Sequence, residues 1–462
     1  MTPLNRDILK LAVPSILANI TVPLVGMVDL AVAGHLDGNA ASLIGGVTIG
    51  TMLFDLLYWN FGFLRVGTGG LTAQAYGRGD FAEDGAILVR GVSLSLLIAA
   101  VILLIQWPFL LLVLYLTPCS EPVRMLAEEY FFIRIWAAPA TLSLMALKGW
   151  FIGMQDSVSS MATDLLVNTV NIGASIGLSM GIHAGPLQWD GLGFKGIAYG
   201  TLLAQYSGFL FALLRVAFKY GRKAFPGFSV SFIRQAFEGG QLRRFASVNT
   251  DLFIRSVALV VVYVGFTMIS ATFGDLLLSS GSIMMKLLLL FSYFTDGFAY
   301  AGEALTGKYI GMGDREMTRR TVHAIFVWSL TIGLLFVAVY ELAGVPILRL
   351  LTSDAAVVET CRQFFAWLLP MPLVGCLAFT WDGVYVGATA SRAMRNATLW
   401  SVVAFFGTWF LVEALIGESR EVTAMHVLLG AYFAHLGARA VYQSITYRRC
   451  ILEEPFAGTS RS

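Results

Sequence analysis

Charge is what this chain has least of. Lys, Arg, Asp and Glu supply 13% of its 462 residues, against 57% hydrophobic residues. Soluble chains carry about 25% charged residues, so about half of the usual solvating charge is missing. That excludes a water-soluble fold of this length and implies an integral membrane protein. Histidine is thin as well: the five residues are scattered, with no HExxH and no i, i+4 pair. The four cysteines, Cys119, Cys361, Cys376 and Cys450, form no CxxC and no ligand spacing. A disulfide framework and a zinc site are thereby excluded, and no metal or cofactor is expected. A net charge of +2 argues against a nucleic-acid partner, which needs a concentrated basic face. The apolar run after Arg6 and Lys10 continues past Asp29 without the small-residue pattern of signal-peptide cleavage. Arg65-Val-Gly-Thr-Gly-Gly70 lacks the Gly-Lys-Ser/Thr ending of a phosphate loop. No His-Asp constellation of a membrane enzyme is visible either, so the chain is read as a non-enzyme.

What is present is a repeat. Leu71-Thr-Ala-Gln-Ala-Tyr-Gly-Arg-Gly-Asp80 returns as Leu305-Thr-Gly-Lys-Tyr-Ile-Gly-Met-Gly-Asp314, an offset of 234 residues (305 − 71). Phe151-Ile-Gly-Met-Gln-Asp-Ser157 and Tyr385-Val-Gly-Ala-Thr-Ala-Ser391 keep that offset, with Gly at the same place. A duplicated apolar chain suggests two related lobes facing each other across a path, an architecture common among secondary transporters.

A helical span takes roughly 20 apolar residues, and twelve such runs are found. They fall at about 8–33, 44–66, 86–114, 126–152, 162–183 and 193–218, then 245–272, 279–303, 321–343, 360–388, 397–417 and 422–447. The expected fold is an all-α integral membrane protein of twelve transmembrane helices in two six-helix lobes. Residues 1–218 form the N-lobe, 219–244 a linker, 245–447 the C-lobe and 448–462 a tail. Within the linker, Phe232, Ile233, Ala236 and Phe237 with Arg234 suit a short amphipathic helix at the headgroups. Lys and Arg cluster in the termini, the linker and the loops after even-numbered spans, which makes those segments cytoplasmic. An even number of spans per lobe makes the repeats parallel, related by an axis along the membrane normal. The Gly-x-Gly-Asp segments then form tight cytoplasmic turns, with Asp80 and Asp314 capping the next helix.

Ionisable groups at bilayer depth are functional candidates by default. Asp29 lies deep in span one, with no Lys or Arg within reach along its own helix. Loss of water favours the protonated form of such a carboxyl, which is the chemistry a proton-coupled carrier uses. Pro14 removes a backbone hydrogen bond and can re-aim span one. Asn171, Asn168 and Asp164 make a polar stripe on span five that either glues helices or lines a cavity. Lys148 and Asp382 are equivalent in the repeat and could form a latch between lobes, although Lys148 could equally snorkel. Asp251 and Arg255, spaced i, i+4, should neutralise each other. Lys286 reads as a paired buried charge facing the cavity, with Asp296 and a structural Glu303 further along span eight. Met27, Met52, Met154 and Met161 could form a deformable wall, and no single one is assigned.

Four signatures carry a family resemblance. They are Pro14-Ser-Ile-Leu-Ala-Asn19 leading to Asp29, Leu71-Thr-Ala-Gln-Ala-Tyr-Gly77, Phe291-Ser-Tyr-Phe-Thr-Asp-Gly-Phe-Ala-Tyr-Ala-Gly-Glu-Ala-Leu305, and Trp381-Asp-Gly-Val-Tyr-Val-Gly-Ala-Thr389. Together they resemble the multidrug and toxic compound extrusion (MATE) family, in particular its DinF-like branch, over nearly the whole chain. The resemblance implies a monomeric exporter in the bacterial inner membrane that works by alternating access. Its cargo would be cationic or amphipathic organic molecules, exchanged for H+ or Na+. Asp29 would be the principal coupling residue, hydrogen-bonded by Asn171. Relatives often carry an acid four positions after that Asn, where this chain has Ser175. Asp164 is then the candidate second carboxylate, and Ser175→Asp would be expected to restore a two-acid site. A flippase for a lipid-linked precursor is the alternative. Its pyrophosphate would call for several basic residues in the first lobe, where only Lys148, Arg65 and Arg134 lie deep. Spans one and seven are the expected moving parts, with Pro14 and Gly265 as soft points.

Overall fold

The computed structural model describes residues 2–117, 119–184, 187–226, 229–352, 354–416 and 421–457. Residues 227–228 of the expected linker and 458–462 of the expected tail lie outside them. Long helices follow one another along the chain. They are α1 (Pro3–His35), α2 (Ala40–Arg78), α3 (Phe81–Leu116), α4 (Glu121–Gly153), α5 (Ser157–Met180) and α6 (Phe194–Ala224), then α7 (Gly240–Ala271), α8 (Asp275–Gly311), α9 (Arg315–Leu351), α10 (Phe365–Gly387, preceded by Ala355–Gln363), α11 (Ser391–Ile416) and α12 (Glu421–Tyr447). Ten of these rods are long and apolar enough to cross a bilayer. The other two, α5 and α12, are long enough at 24 and 27 residues but interrupt their apolar face with polar side chains. The twelve-helix expectation therefore holds. The sequence reading missed a small antiparallel ribbon between α5 and α6, in which Ile182–Ala184 (β1) pairs with Leu187–Trp189 (β2).

The repeat is written into the backbone. Gly79 and Gly313 take the left-handed conformation at φ +73° and +74°, a cheap one only for glycine. The next residues cap the following helices: Asp80 accepts from Glu83 N at 3.1 Å and Asp314 from Met317 N at 2.9 Å. Among the described residues two non-glycines have positive φ, Gln155 and Thr389, and they too are 234 residues apart. Close packing repeats at the same offset. A Cβ on Gly149 would lie 2.1 Å from Arg65 O, and one on Gly383 would lie 2.1 Å from Ala299 O.

The chain falls into two compact units, one of Met1–Ile16, Ala73–Arg78 and Ala246–Ser462, the other of Leu17–Thr72 and Gly79–Phe245. Within the first, the end of α2 crosses the end of α8 with no room to spare. A Cβ on Gly77 would sit 2.1 Å from Lys308 O, and one on Gly311 would sit 2.2 Å from Gln74 O. Gly307 meets Ala73, its own counterpart in the repeat. Each residue thus contacts the equivalent of the residue that contacts it, which is the pattern of a self-complementary two-fold contact. Gln74 Nε2 closes the crossing by donating to Gly387 O at 3.0 Å and Thr389 Oγ1 at 3.2 Å. The core of this unit gathers Phe291, Phe336, Tyr340, Phe364 and Phe405.

In the second unit, the linker helix Val230–Ala236 is capped by Ser229 and clamped onto α3. Buried Arg90 donates to Ala236 O at 2.5 Å and to Glu83 at 2.7 Å. Expected at the headgroups, the helix packs on protein, because Gly85 lets Phe232 approach α3 closely. Between α4 and α5, Asp156 accepts from Lys219 Nζ and Tyr220 Oη, both at 2.7 Å, and from Ser159 N at 3.2 Å. Burial works against this carboxylate, but the hydrogen bonds from Lys219, Ser159 and Tyr220 together hold it below the ordinary range.

Two outcomes follow from these contacts. Leu at Gly77 or Gly311 should abolish a monodisperse peak in detergent size-exclusion chromatography, whereas Gly221→Ala, with open space around it, should not. Because folding depresses the Asp156 carboxyl, its stabilisation is complete above about pH 4, the unfolded value, and is lost as pH falls through the lower folded one. Thermal stability in detergent should therefore drop on acidification below about pH 4, and Asp156→Asn should flatten that limb at a cost of roughly 1 kcal/mol at neutral pH.

Candidate functional site: an N-lobe carboxyl on the first helix

Asp29 lies buried in α1, which continues as helix across both Pro14 and Pro23. Pro23 escaped the sequence reading although it stands nearer to Asp29, and Gly26 beside it has nothing within 4 Å of a built Cβ. The chain passes from one compact unit to the other two residues beyond Pro14. The Ser175 hydroxyl of α5 approaches the Asp29 carboxyl. Even so, neither Ser175 Oγ nor Asp29 Oδ1 completes a hydrogen bond of ordinary geometry among the described residues.

The polar stripe of α5 is shared out rather than gathered at Asp29. Asn168 Nδ2 donates to Thr21 Oγ1 of α1 at 2.6 Å. Asn171, expected to bond Asp29, instead donates to Thr201 Oγ1 of α6 at 3.0 Å and leaves its own Oδ1 unmatched. The reason is the intimacy of α5 and α6: a Cβ on Gly196 would lie 2.5 Å from Leu178 O, and one on Gly200 would lie 2.6 Å from Ser175 N and Oγ. Asp164, the candidate second carboxylate, is paired with Lys148 Nζ of α4 at 2.8 Å. Lys148, offered as a latch partner of Asp382, makes this ion pair within its own unit. A carboxylate at position 175 would crowd Gly200 as well as face Asp29, so the two-acid restoration expected of Ser175→Asp has no space to form.

The charge that does reach Asp29 is Arg134 of α4. Its Nη1 donates to Tyr130 Oη at 2.9 Å, and its Cζ stands 4.6 Å from the Phe54 ring centre and 5.5 Å from that of Tyr130. The same guanidinium bears on Asp55 and on the buried, unmatched hydroxyl of Tyr58 in α2. The sequence reading counted Arg134 only as a basic residue. The i, i+4 spacing of Tyr130 and Arg134 was the available signal.

The C-lobe candidates are organised differently. Asp382 accepts from Arg255 at 2.5 Å, from Arg439 and from Gln443 Nε2 at 3.1 Å. Asp251, expected to neutralise Arg255, pairs with Arg395 at 2.6 Å and Ser391 at 2.9 Å instead. Asp251 and Arg255 are neighbours on one helix, but stronger partners stand across the bundle. Lys286 is exposed and makes no ion pair among the described residues, contrary to the buried pair expected of it. Asp296 is half-buried and Glu303 fully buried. His435, Arg439 and Gln443 were missed altogether, although their i, i+4, i+8 spacing places them on one face of α12. Among the described residues no cluster of His, Cys, Asp and Glu could hold a metal ion.

Known proteins fit this geometry. The family model described as MatE matches residues 14–176 and 252–417, one segment in each repeat. DNA damage-inducible protein F of Escherichia coli K12 is 34% identical over 399 residues, covering 86% of this chain and 83% of that protein. A probable multidrug resistance protein NorM of Thermotoga maritima is 23% identical, covering 88% and 83%. In fold, a crystal structure of MATE in the bent conformation matches with a TM-score of 0.83 at 17% identity, over 100% of this chain and 98% of that one. With twelve helices, an internal duplication and a family model matched in both halves, this chain belongs to the MatE family of multidrug and toxin extrusion transporters.

Proposed function

We propose that this chain is a secondary antiporter that exports amphipathic organic cations in exchange for protons, with Asp29 as the group that carries the coupling proton. One contrast supports the reading best. Asp164 and Asp382 are each held by Lys or Arg, while Asp29 is buried with an oxygen that lacks a hydrogen bond and no cation within salt-bridge distance among the described residues. Asp164 and Asp382 are thus each committed to a cation on a neighbouring helix. Asp29 has no such clamp.

Protonation would remove the charge of Asp29 and its pull on Arg134 and Ser175, on a helix already softened by Pro14, Pro23 and Gly26. The bend of α1 would then respond to the proton, and cargo affinity with it. Such coupling is reciprocal, so bound cargo must lower the proton affinity of the site by the same factor. A proton needs one carboxyl oxygen, whereas a sodium ion needs several converging ones, which favours H+ as the coupling ion. In this reading the protein works as a monomer in the bacterial inner membrane, with both termini and the linker cytoplasmic. The flippase alternative draws little support from the basic residues of the N-lobe. Lys148 is spent on Asp164, and Arg134 faces carboxylates.

The test is transport in proteoliposomes under an imposed pH gradient, and separately under a sodium gradient at constant pH. Asp29→Asn should remain monodisperse while gradient-driven export falls by roughly 100-fold, the scale of losing an essential proton-transfer group. Wild-type rates with unchanged pH dependence in Asp29→Asn would defeat the proposal. Full activity on a sodium gradient alone would replace the proton as coupling ion. Ser175→Asp should lower thermal stability, by roughly 1–3 kcal/mol for an overpacked site, without raising activity.

A further inference from the structure

We infer that the end of α6 and the linker after it form a binding surface for anionic phospholipid, in the leaflet that borders that end of the helix. Charge gathers there. Residues 219–244 hold six basic side chains, Lys219, Arg222, Lys223, Arg234, Arg243 and Arg244, and one acid, Glu238, a net charge of +5 (6 − 1). The whole chain has a net charge of +2, so everything outside this segment sums to −3 (2 − 5). The segment after α12 shows that a basic helix end need not leave an excess. Arg448 pairs with Glu453 at 2.9 Å and Arg449 with Glu454 at 2.8 Å. In the linker, Lys219 is spent on Asp156 and Arg234 on Glu238. Arg222, Lys223 and Arg243 are exposed and make no ion pair among the described residues.

These charges sit on a surface that is held in place. A Cβ on Gly85 of α3 would lie 2.0 Å from Ala224 O, at the end of α6, and 3.2 Å from Phe232 Cζ of the linker helix. Both segments therefore seat on one glycine. Phe225 and Phe232 meet edge to face with ring centres 5.9 Å apart, and Arg90 fastens the far end of the linker helix through Ala236 O at 2.5 Å. Phe232 and Ala236 are thus turned onto protein, while Ile233 and Phe237, one position further along, stay exposed. Gly239 then turns the chain at φ +80° into α7, whose first turn carries Arg243.

The apolar neighbours of the cluster identify the occupant. Leu210, Leu214 and Phe218 follow one another at i, i+4 along α6 and are 58%, 44% and 87% exposed. The next position on that face is Arg222, in the last turn of the helix. An uncovered apolar stripe that ends in a cation matches the order of acyl chain and phosphate in a lipid. Inorganic phosphate or a soluble polyanion would use the charges and leave the stripe bare. Clusters of about four to eight basic residues at the end of a membrane-spanning helix attract anionic headgroups, and Ile233 and Phe237 add apolar contact beside Arg234.

Native mass spectrometry of the full-length protein counts retained lipid directly. The protein is equilibrated in detergent micelles with equimolar dioleoyl phosphatidylglycerol and dioleoyl phosphatidylcholine, which share their chains and differ in headgroup charge. Wild type should retain phosphatidylglycerol in preference. Arg222→Gln should cut that preference about fivefold, the scale of one basic residue beside an anionic surface. Arg222→Gln combined with Lys223→Gln and Arg243→Gln should abolish it. Arg448→Gln with Arg449→Gln, which removes charges already matched by glutamates, should leave it intact. Phe218→Asn should weaken retention of phosphatidylglycerol, and inorganic phosphate should compete poorly with the lipid. Equal retention of the two lipids by wild type, or an unmoved preference in a monodisperse triple variant, overturns the proposal; if the triple variant aggregates, Arg222→Gln and Arg243→Gln singly decide the question. Full displacement of the lipid by inorganic phosphate, with retention unchanged in Phe218→Asn, would show that the cations take a free anion and overturn the lipid assignment.

Discussion

A carboxylate at bilayer depth must find a cation within reach or surrender its charge, because the surrounding hydrocarbon offers it neither water nor a compensating dipole. The arrangement of both lobes follows from that constraint. Asp164 is held by Lys148, Asp251 by Arg395, and Asp382 by Arg255 and Arg439. Each of these pairs joins two helices, so the charge that would cost most if left alone becomes a cross-link between spans. The two least apolar spans, α5 and α12, supply Asp164 and Arg439 to these links. Their lower hydropathy is the price of wiring each bundle internally. Asp29 stands outside the scheme: it is buried, and one of its oxygens has no hydrogen-bond partner among the described residues.

The second constraint is steric. Apolar surface gives little drive for helix association inside lipid, so contact must come from close packing of small residues. Gly149 against Arg65 and Gly383 against Ala299 are one contact used twice, at equivalent places in the repeat. Gly77 and Gly311 belong to a single crossing that the repeat makes with itself. In both cases glycine is required because a carbonyl oxygen occupies the volume a Cβ would fill. The duplication therefore preserved the residues that let backbones touch and the capping Asp80 and Asp314, whereas the ionisable residues within the spans diverged. Lys148 and Asp382 occupy the same repeat position with opposite charge, and each acquired its own partner.

That division explains what the sequence made legible. Span positions, the 234-residue offset, the Gly-x-Gly-Asp turns and the caps at Asp80 and Asp314 depend on local rules and on residue order, and all appear where the pattern put them. Asp29 was recognisable for a related reason: one acid in a long apolar run needs no partner to be conspicuous. Partnerships were not legible. Asp251 and Arg255 satisfy the helical i, i+4 rule, but that rule describes an isolated helix, and inside a bundle Arg395 and Asp382 stand closer. Asn171 likewise shares a face with Ser175, yet the glycine-lined approach of α6 delivers Thr201 to it first. Arg134 is not distinguished by its own helix alone, because the aromatic surface it lies on, Phe54, comes from a different one.

Two lobes built from one repeat have thus reached opposite electrostatic solutions. In the C-lobe the acid is locked between two guanidiniums and an amide, and it holds α7, α10 and α12 together. The N-lobe keeps its cation on an aromatic platform instead, near the acid but not bonded to it. A direct ion pair commits a carboxylate to one partner, whereas buried Asp29 keeps an oxygen without a hydrogen bond among the described residues. The repeat fixed where backbones touch, and the helices packed around each acid, not the repeat, decide whether it is paired.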